Sequence, residues 1–211
     1  MPEAGALPEP AGRAGRTRRP MSDTAPDTAV LLVDVVNAFD FEGADRLIEH
    51  ARPAVEAIAD LADRARAAGV PVVYANDNFE QWHETFDALV DRCTHPDAAG
   101  CDLVDKVRPH EGDYFVLKPK YSAFYETSLQ TLLRHLGVRR LVLAGFAADI
   151  CVLATAMDAA MRDYELVVPQ DATASETTHA YEATLAHLRR VLGAETPPAA
   201  AVHFEPAAAE A

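Results

Sequence analysis

The stretch from Leu141 to Val152, Leu-Val-Leu-Ala-Gly-Phe-Ala-Ala-Asp-Ile-Cys-Val, constrains the fold more than any other part of the chain. Its apolar run, Leu141 to Ala144, shows no polar alternation and reads as a strand covered on both faces. The run stops at Gly145, small residues and Asp149 follow, and an apolar-periodic segment begins near Cys151. A buried parallel strand, a tight turn and a helix in that order predict an α/β fold. A thiol in the first helical turn feels unpaired backbone N–H groups and the positive end of the helix dipole, and both favour the thiolate. The alternative for Cys151 is a small apolar core residue, since free cysteines are among the most buried side chains. This stretch alone leaves both readings open.

At 211 residues the chain suits one α/β domain with tails. Apolar residues make up 49% of it, which excludes a disordered chain. A formal net charge of -14 argues against a nucleic-acid backbone or an anionic membrane surface as partner. No apolar run approaches the ~18 residues of a spanning helix. Cys93, Cys101 and Cys151 form no CxxC pair, and no secretory apolar region is present, so reduced thiols and a cytoplasmic location are expected.

Residues 1–27 are rich in Pro, Ala, Gly and Arg and read as a disordered tail, with Met21 a candidate start. The domain is expected over 28–193, and the Pro/Ala-rich stretch 194–211 is expected to be a loose tail. Ala29 to Val35 is a second apolar run, broken only by Asp34. An acid at a strand's C-terminal end falls where open α/β sheets place their ligands, although a turn or cap bond is the other reading. A short helix is expected over 44–50, then a second one opened by Pro53, ending at Ala68 and capped by Gly69. Val70 to Ala75 is the next strand, and it runs into the polar loop Asn76-Asp77-Asn78. Trp82, Phe86, Leu89 and Val90 read as an amphipathic helix forming core or pocket wall.

Cys93 to Gly112 is the least regular part, an acidic loop that could cover a site. Cys93, His95 and Cys101 match no common zinc-ligand spacing, so no metal is expected there. Tyr114 to Leu117 is a short strand ending at Lys118, whose backbone Pro119 holds extended, while Lys120 reads as a solvated strand end. A helix over 127–136, a strand over 164–168 and a closing helix over 178–192 complete the domain.

Three single residues thus stand at strand C-terminal ends: Asp34, Lys118 and Cys151. The segments around them, Leu-Leu-Val-Asp-Val-Val-Asn-Ala-Phe (31–39), Lys-Pro-Lys-Tyr-Ser-Ala-Phe-Tyr-Glu-Thr (118–127) and the stretch 141–152, resemble the isochorismatase-like cysteine hydrolases over residues 28–192. The resemblance implies a three-layer Rossmann-like fold, an α/β sheet of about six mainly parallel strands with helices on both faces. It implies that Cys151 is a nucleophile, Asp34 its general base and acid, and Lys118 the cation that holds them, with a thioester intermediate. It also implies a cis peptide at Phe146-Ala147, beside an oxyanion hole made by the N–H groups of Ala147 and Cys151. Ala148 departs from the Thr or Ser often found there.

Other departures narrow the substrate. Nicotinamidases of this superfamily carry an Asp-x-His and further histidines that bind a metal. His50, His83, His95 and His110 do not stand in that setting, so no metal and no cofactor is expected. Vinyl-ether hydrolysis of isochorismate does not need the cysteine, so Cys151 favours cleavage of a C–N bond in a small amide or carbamoyl compound. The alternatives are a vinyl-ether hydrolase and a catalytically idle binding module. Asn37, Phe39, Asn76, Trp82, Tyr121 and Phe124 are candidate substrate contacts, each equally readable as a core or turn residue. A small-molecule substrate and a homo-oligomer, dimer or tetramer, are the expected partners.

Overall fold

The computed structural model describes residues 27–205. The expectations for the N-terminal tail and for Met21 lie outside the described residues, as do residues 206–211. Six strands form one parallel sheet: Thr28–Val33 (β1), Val72–Asp77 (β2), Tyr114–Lys118 (β3), Arg140–Phe146 (β4), Glu165–Val167 (β5) and Thr173–Ala174 (β6). Their order is β3-β2-β1-β4-β5, with β6 pairing beside the end of β4. Ala44–Ala67 (α1), Phe86–Cys93 (α2) and Cys101–Val104 (α3) pack on one face. Leu129–His135 (α4), Leu153–Met161 (α5) and Thr178–His187 (α6) pack on the other. This is the three-layer class the sequence predicts.

The central strands show why their sequences lack alternation. In β1, Val30 and Leu32 face the α1 layer while Ala29, Leu31 and Val33 face the α5 layer. Val142 and Ala144 of β4 divide from Leu141 and Leu143 in the same way. A strand covered on both sides has no face on which to place polar residues.

The sheet order reverses between β1 and β4, since the chain runs outward through β2 and β3 and then returns to build the other half. Such a switch point leaves a crevice beyond the strand C-terminal ends. Gly145 sits at this junction in register with Val33, at φ 123. A Cβ there would collide with the Val33 carbonyl, so only glycine lets β1 and β4 close here.

Several expectations are corrected. The two helices expected around Pro53 are one, α1, with the proline inside it. An interior proline costs about 3 kcal/mol, but Leu47 and Ala51 before it and Val55, Ile58 and Leu61 after it form one buried stripe that offsets the cost. Gly69 closes α1 as expected: at φ 70 its N–H donates to the Arg66 carbonyl and that of Val70 to Ala65. Trp82 lies outside α2, which begins at Phe86 behind the Thr85 cap. The segment after Cys93 is anchored rather than irregular, because α3 and the turn Asp105–Val107 bury Leu103, Val104 and Val107. Residues 194–205 are not loose either. The Glu195 N–H donates to the Leu166 carbonyl at 3.0 Å, and its carbonyl accepts from Val168 at 2.8 Å.

Candidate active site

Three strand ends on the crevice side carry the candidate side chains, Asp34 after β1, Lys118 at the end of β3 and Cys151 beyond β4. Asp34 follows β1 in the left-handed region at φ 51, a conformation that a non-glycine residue holds only where its surroundings fix it. Its N–H donates to the Ala75 carbonyl, and its Oδ1 accepts the Asp77 N–H at 2.6 Å. Lys118 ends β3 and is fully buried. Its Nζ lies 2.8 Å from Asp34 Oδ2, 3.4 Å from Asp77 Oδ2 and 3.5 Å from Cys151 Sγ, and it donates to the Lys120 carbonyl at 3.2 Å. Cys151 lies in a π-helical turn, Ala148–Val152, that leads into α5, and the preceding Phe146-Ala147 peptide is cis.

A buried ammonium is tolerated only with partners, and Lys118 has acidic ones on three sides. Burial pulls its pKa down, but the charges of Asp34, Cys151 and Asp77 outweigh that and the net direction is up. Asp34 is pushed above the usual carboxylate range by burial, which Lys118 only partly opposes. The two shifts are compatible because several acidic groups share one cation. The Cys151 thiol is also pushed up, by burial and then by the Asp34 charge, with Lys118 pulling the other way. Both of these larger causes oppose the thiolate that the helical position alone favours.

The remaining candidates fall in different places. Asn37 makes a local turn, its Oδ1 accepting the Phe39 N–H at 2.7 Å. Phe39 is buried against Gly100 in the α1-side core. Asn76 is fully buried and its Nδ2 donates to the Val36 carbonyl at 2.7 Å, which ties the loop after Asp34 to β2. Phe124 is core, packed near Tyr164 with the Arg162 guanidinium over its ring. Trp82 and Tyr121 are 73% and 64% exposed, so neither is a wall of an enclosed cavity in the single chain. Sequence reasoning missed Asp77. It stood in a run of Asn, Asp and Asn that reads as a turn, and only the β2–β3 register, which sets Asp77 opposite Lys118, distinguishes it. Among the described residues, no group of three His, Cys, Asp or Glu is placed to hold a metal ion.

Residues 28–197 match the isochorismatase domain model. The chain is 39% identical over 169 residues to the uncharacterized isochorismatase family protein YaaI of Bacillus subtilis, covering 80% of this chain and 92% of that one. It is 33% identical over 182 residues to the ureidoacrylate amidohydrolase RutB of Azorhizobium caulinodans, covering 73% and 79%. The crystal structure of N-carbamoylsarcosine amidase from Thermoplasma acidophilum is similar with a TM-score of 0.64 and 30% identity, over 83% of this chain and 98% of that chain.

Proposed function

This chain belongs to the isochorismatase family and is a hydrolase, and from that premise we propose that it cleaves a C–N bond of a small amide or N-carbamoyl compound through a thioester on Cys151. The observation that carries the reading is the fully buried Lys118 ammonium, within 3.5 Å of both the Asp34 carboxylate and the Cys151 sulfur. Relatives with named activities include a ureidoacrylate amidohydrolase, an N-carbamoylsarcosine amidase and, at 26% identity, a nicotinamidase from Staphylococcus aureus, names that share an amide or ureido C–N bond and support that bond class here.

The proposed steps start from a Cys151 thiol, an Asp34 carboxylate and a Lys118 ammonium. Sγ attacks the substrate carbonyl as its proton passes to Asp34, so no free thiolate need accumulate at neutral pH. The N–H groups of Ala147 and Cys151 receive the developing oxyanion. When the C–N bond breaks, Asp34 returns the proton to the departing nitrogen and leaves an acyl thioester. Water then attacks the thioester and gives a proton to Asp34, and that proton passes to the departing sulfur. The balance is one amide and one water converted to an acid and an amine. Lys118 stays protonated throughout and offsets whichever anion is present.

Cys151→Ala is expected to lower turnover of a responsive amide by about 10³-fold or more while leaving the fold intact. Mass spectrometry of quenched wild-type enzyme should find the acyl group on the Cys151 peptide. Unchanged turnover in the variant would refute the nucleophile, and release of pyruvate in place of an amine or ammonia would point to vinyl-ether hydrolysis.

A further inference from the structure

Lys118 has two carboxylates on it, and the proposed chemistry uses only one. Asp77 ends β2, between β1 and β3, and is joined to both active strand ends. Its backbone N–H holds Asp34 Oδ1 at 2.6 Å, and its side-chain Oδ2 stands 3.4 Å from Lys118 Nζ. Its other oxygen, Oδ1, accepts the Phe79 N–H at 2.8 Å, which fixes the carboxylate in one orientation. The side chain is 26% exposed against 7% for Asp34, so Asp77, with the half-buried Cys151, forms the solvent-facing edge of the cluster.

We infer that Asp77 is a positioning residue, whose carboxylate shares the Lys118 ammonium with Asp34 and so keeps Asp34 basic and Cys151 a thiol. The inference rests on the proposed roles of Asp34 and Cys151 and assigns the site a fourth member. The charged and titratable groups facing Lys118 are Asp34 from the end of β1, Asp77 from β2 and Cys151 from the turn before α5. One ammonium against two carboxylates leaves the resting site with a net negative charge. A second carboxylate on Lys118 weakens the hold of the ammonium on Asp34 and on the Cys151 sulfur. Without it, the ammonium would belong to Asp34 and the sulfur alone. Asp34 would be a weaker base and Cys151 a more acidic thiol.

Alkylation by iodoacetamide at pH 8, followed separately at the Cys151 and Cys93 peptides by mass spectrometry, tests this without a known substrate. Asp77→Asn removes the charge but leaves an oxygen to accept the Phe79 N–H, and Asp77→Ser does so in another way. Both should raise the Cys151 rate about tenfold, the result of lowering its pKa by about one unit, while Asp77→Glu stays near wild type. Cys93 is fully buried and should stay unreactive in all three variants. A Cys151 rate that does not rise in the neutral variants overturns the inference. So does a rise at Cys93 as well as Cys151, which would mean that Asp77 only supports the fold. Loss of turnover in Cys151→Ala tests the nucleophile itself, so the two ideas can fail separately.

Discussion

Lys118 shows what a single buried charge demands of its neighbours. Lys118→Met would leave Asp34, with a side chain only 7% exposed, without its cation, and breaking a buried pair from one side costs about 3–5 kcal/mol. The cost has a sign with pH. Without the ammonium the Asp34 pKa, already raised by burial, rises further above its unfolded value. Between those two values the folded chain binds more protons than the unfolded one, so stability falls as pH rises. Urea unfolding should therefore show a larger loss for Lys118→Met at pH 8 than at pH 5, and an equal loss would contradict the pairing. If Asp34 is the base that the proposed steps require, the same raised pKa sets the acid limb of kcat/KM in the wild type, because the base must be the carboxylate. Activity should fall on acidification at a pH above the ~3.9 of a solvated aspartate. A limb at or below that value would remove Asp34 as the base. Asp34 and Lys118 were legible as candidates in the sequence because each interrupts or ends an apolar run, and Cys151 because it follows one across a tight turn. Asp77 was not, because its importance lies in register and not in composition. Phe124 could be read from the sequence as core or as pocket wall, and Tyr164 and Arg162 packed on its ring favour the core reading.

Among the elements, those buried on both sides were the most legible. β1 and β4 carry runs that only a covered strand tolerates, while β6 is two residues long and has no pattern to read. Pro53 misled because local preference favours a helix start, whereas the buried stripe of α1 passes through it and decides the outcome. The junction of β1 and β4 supports a sharper comparison between two glycines. Gly145 at φ 123 has the Val33 backbone against it, whereas Gly137 at φ 71 has nothing within 4 Å of where a Cβ would lie. Gly137→Ala should therefore cost about 1–2 kcal/mol, the strain of a left-handed alanine. Gly145→Ala adds a clash that no side-chain rotation relieves, and it should cost about 3 kcal/mol or more and splay the strand ends that hold Asp34 and Cys151. Denaturant midpoints of the two variants measure the difference, and equal losses would mean that β1 and β4 tolerate separation.

Across the whole molecule, the C-terminal stretch 194–205 crosses from one half of the fold to the other. Glu195 pairs with the backbone around β5, the Ala199 N–H donates to Asp171 at 2.6 Å, and the Arg64 guanidinium on α1 donates to the carbonyls of Ala199 and Val202 at 2.8 and 2.7 Å. Nothing in a Pro/Ala-rich sequence announces this, because the segment has no periodicity and its fixing partners lie more than a hundred residues away in the case of Arg64. The guanidinium suits the task through its planar fork, which reaches two carbonyls at once, as a lysine cannot. Arg64→Ala should cost about 1–3 kcal/mol, since two hydrogen bonds to a charged group are lost, although the Ala199 carbonyl keeps the Val202 N–H. Arg64 also pairs with the exposed Asp60, an i,i+4 contact on a helix surface worth about 0.3–0.5 kcal/mol. A chain ending at Gly193 separates these contributions. If the strap is the reason for Arg64, the substitution should cost little more than the Asp60 pair in the shortened chain and its full amount in the longer one. An equal cost in both backgrounds would mean that Arg64 stabilises α1 alone and that the strap lies over the fold without holding it.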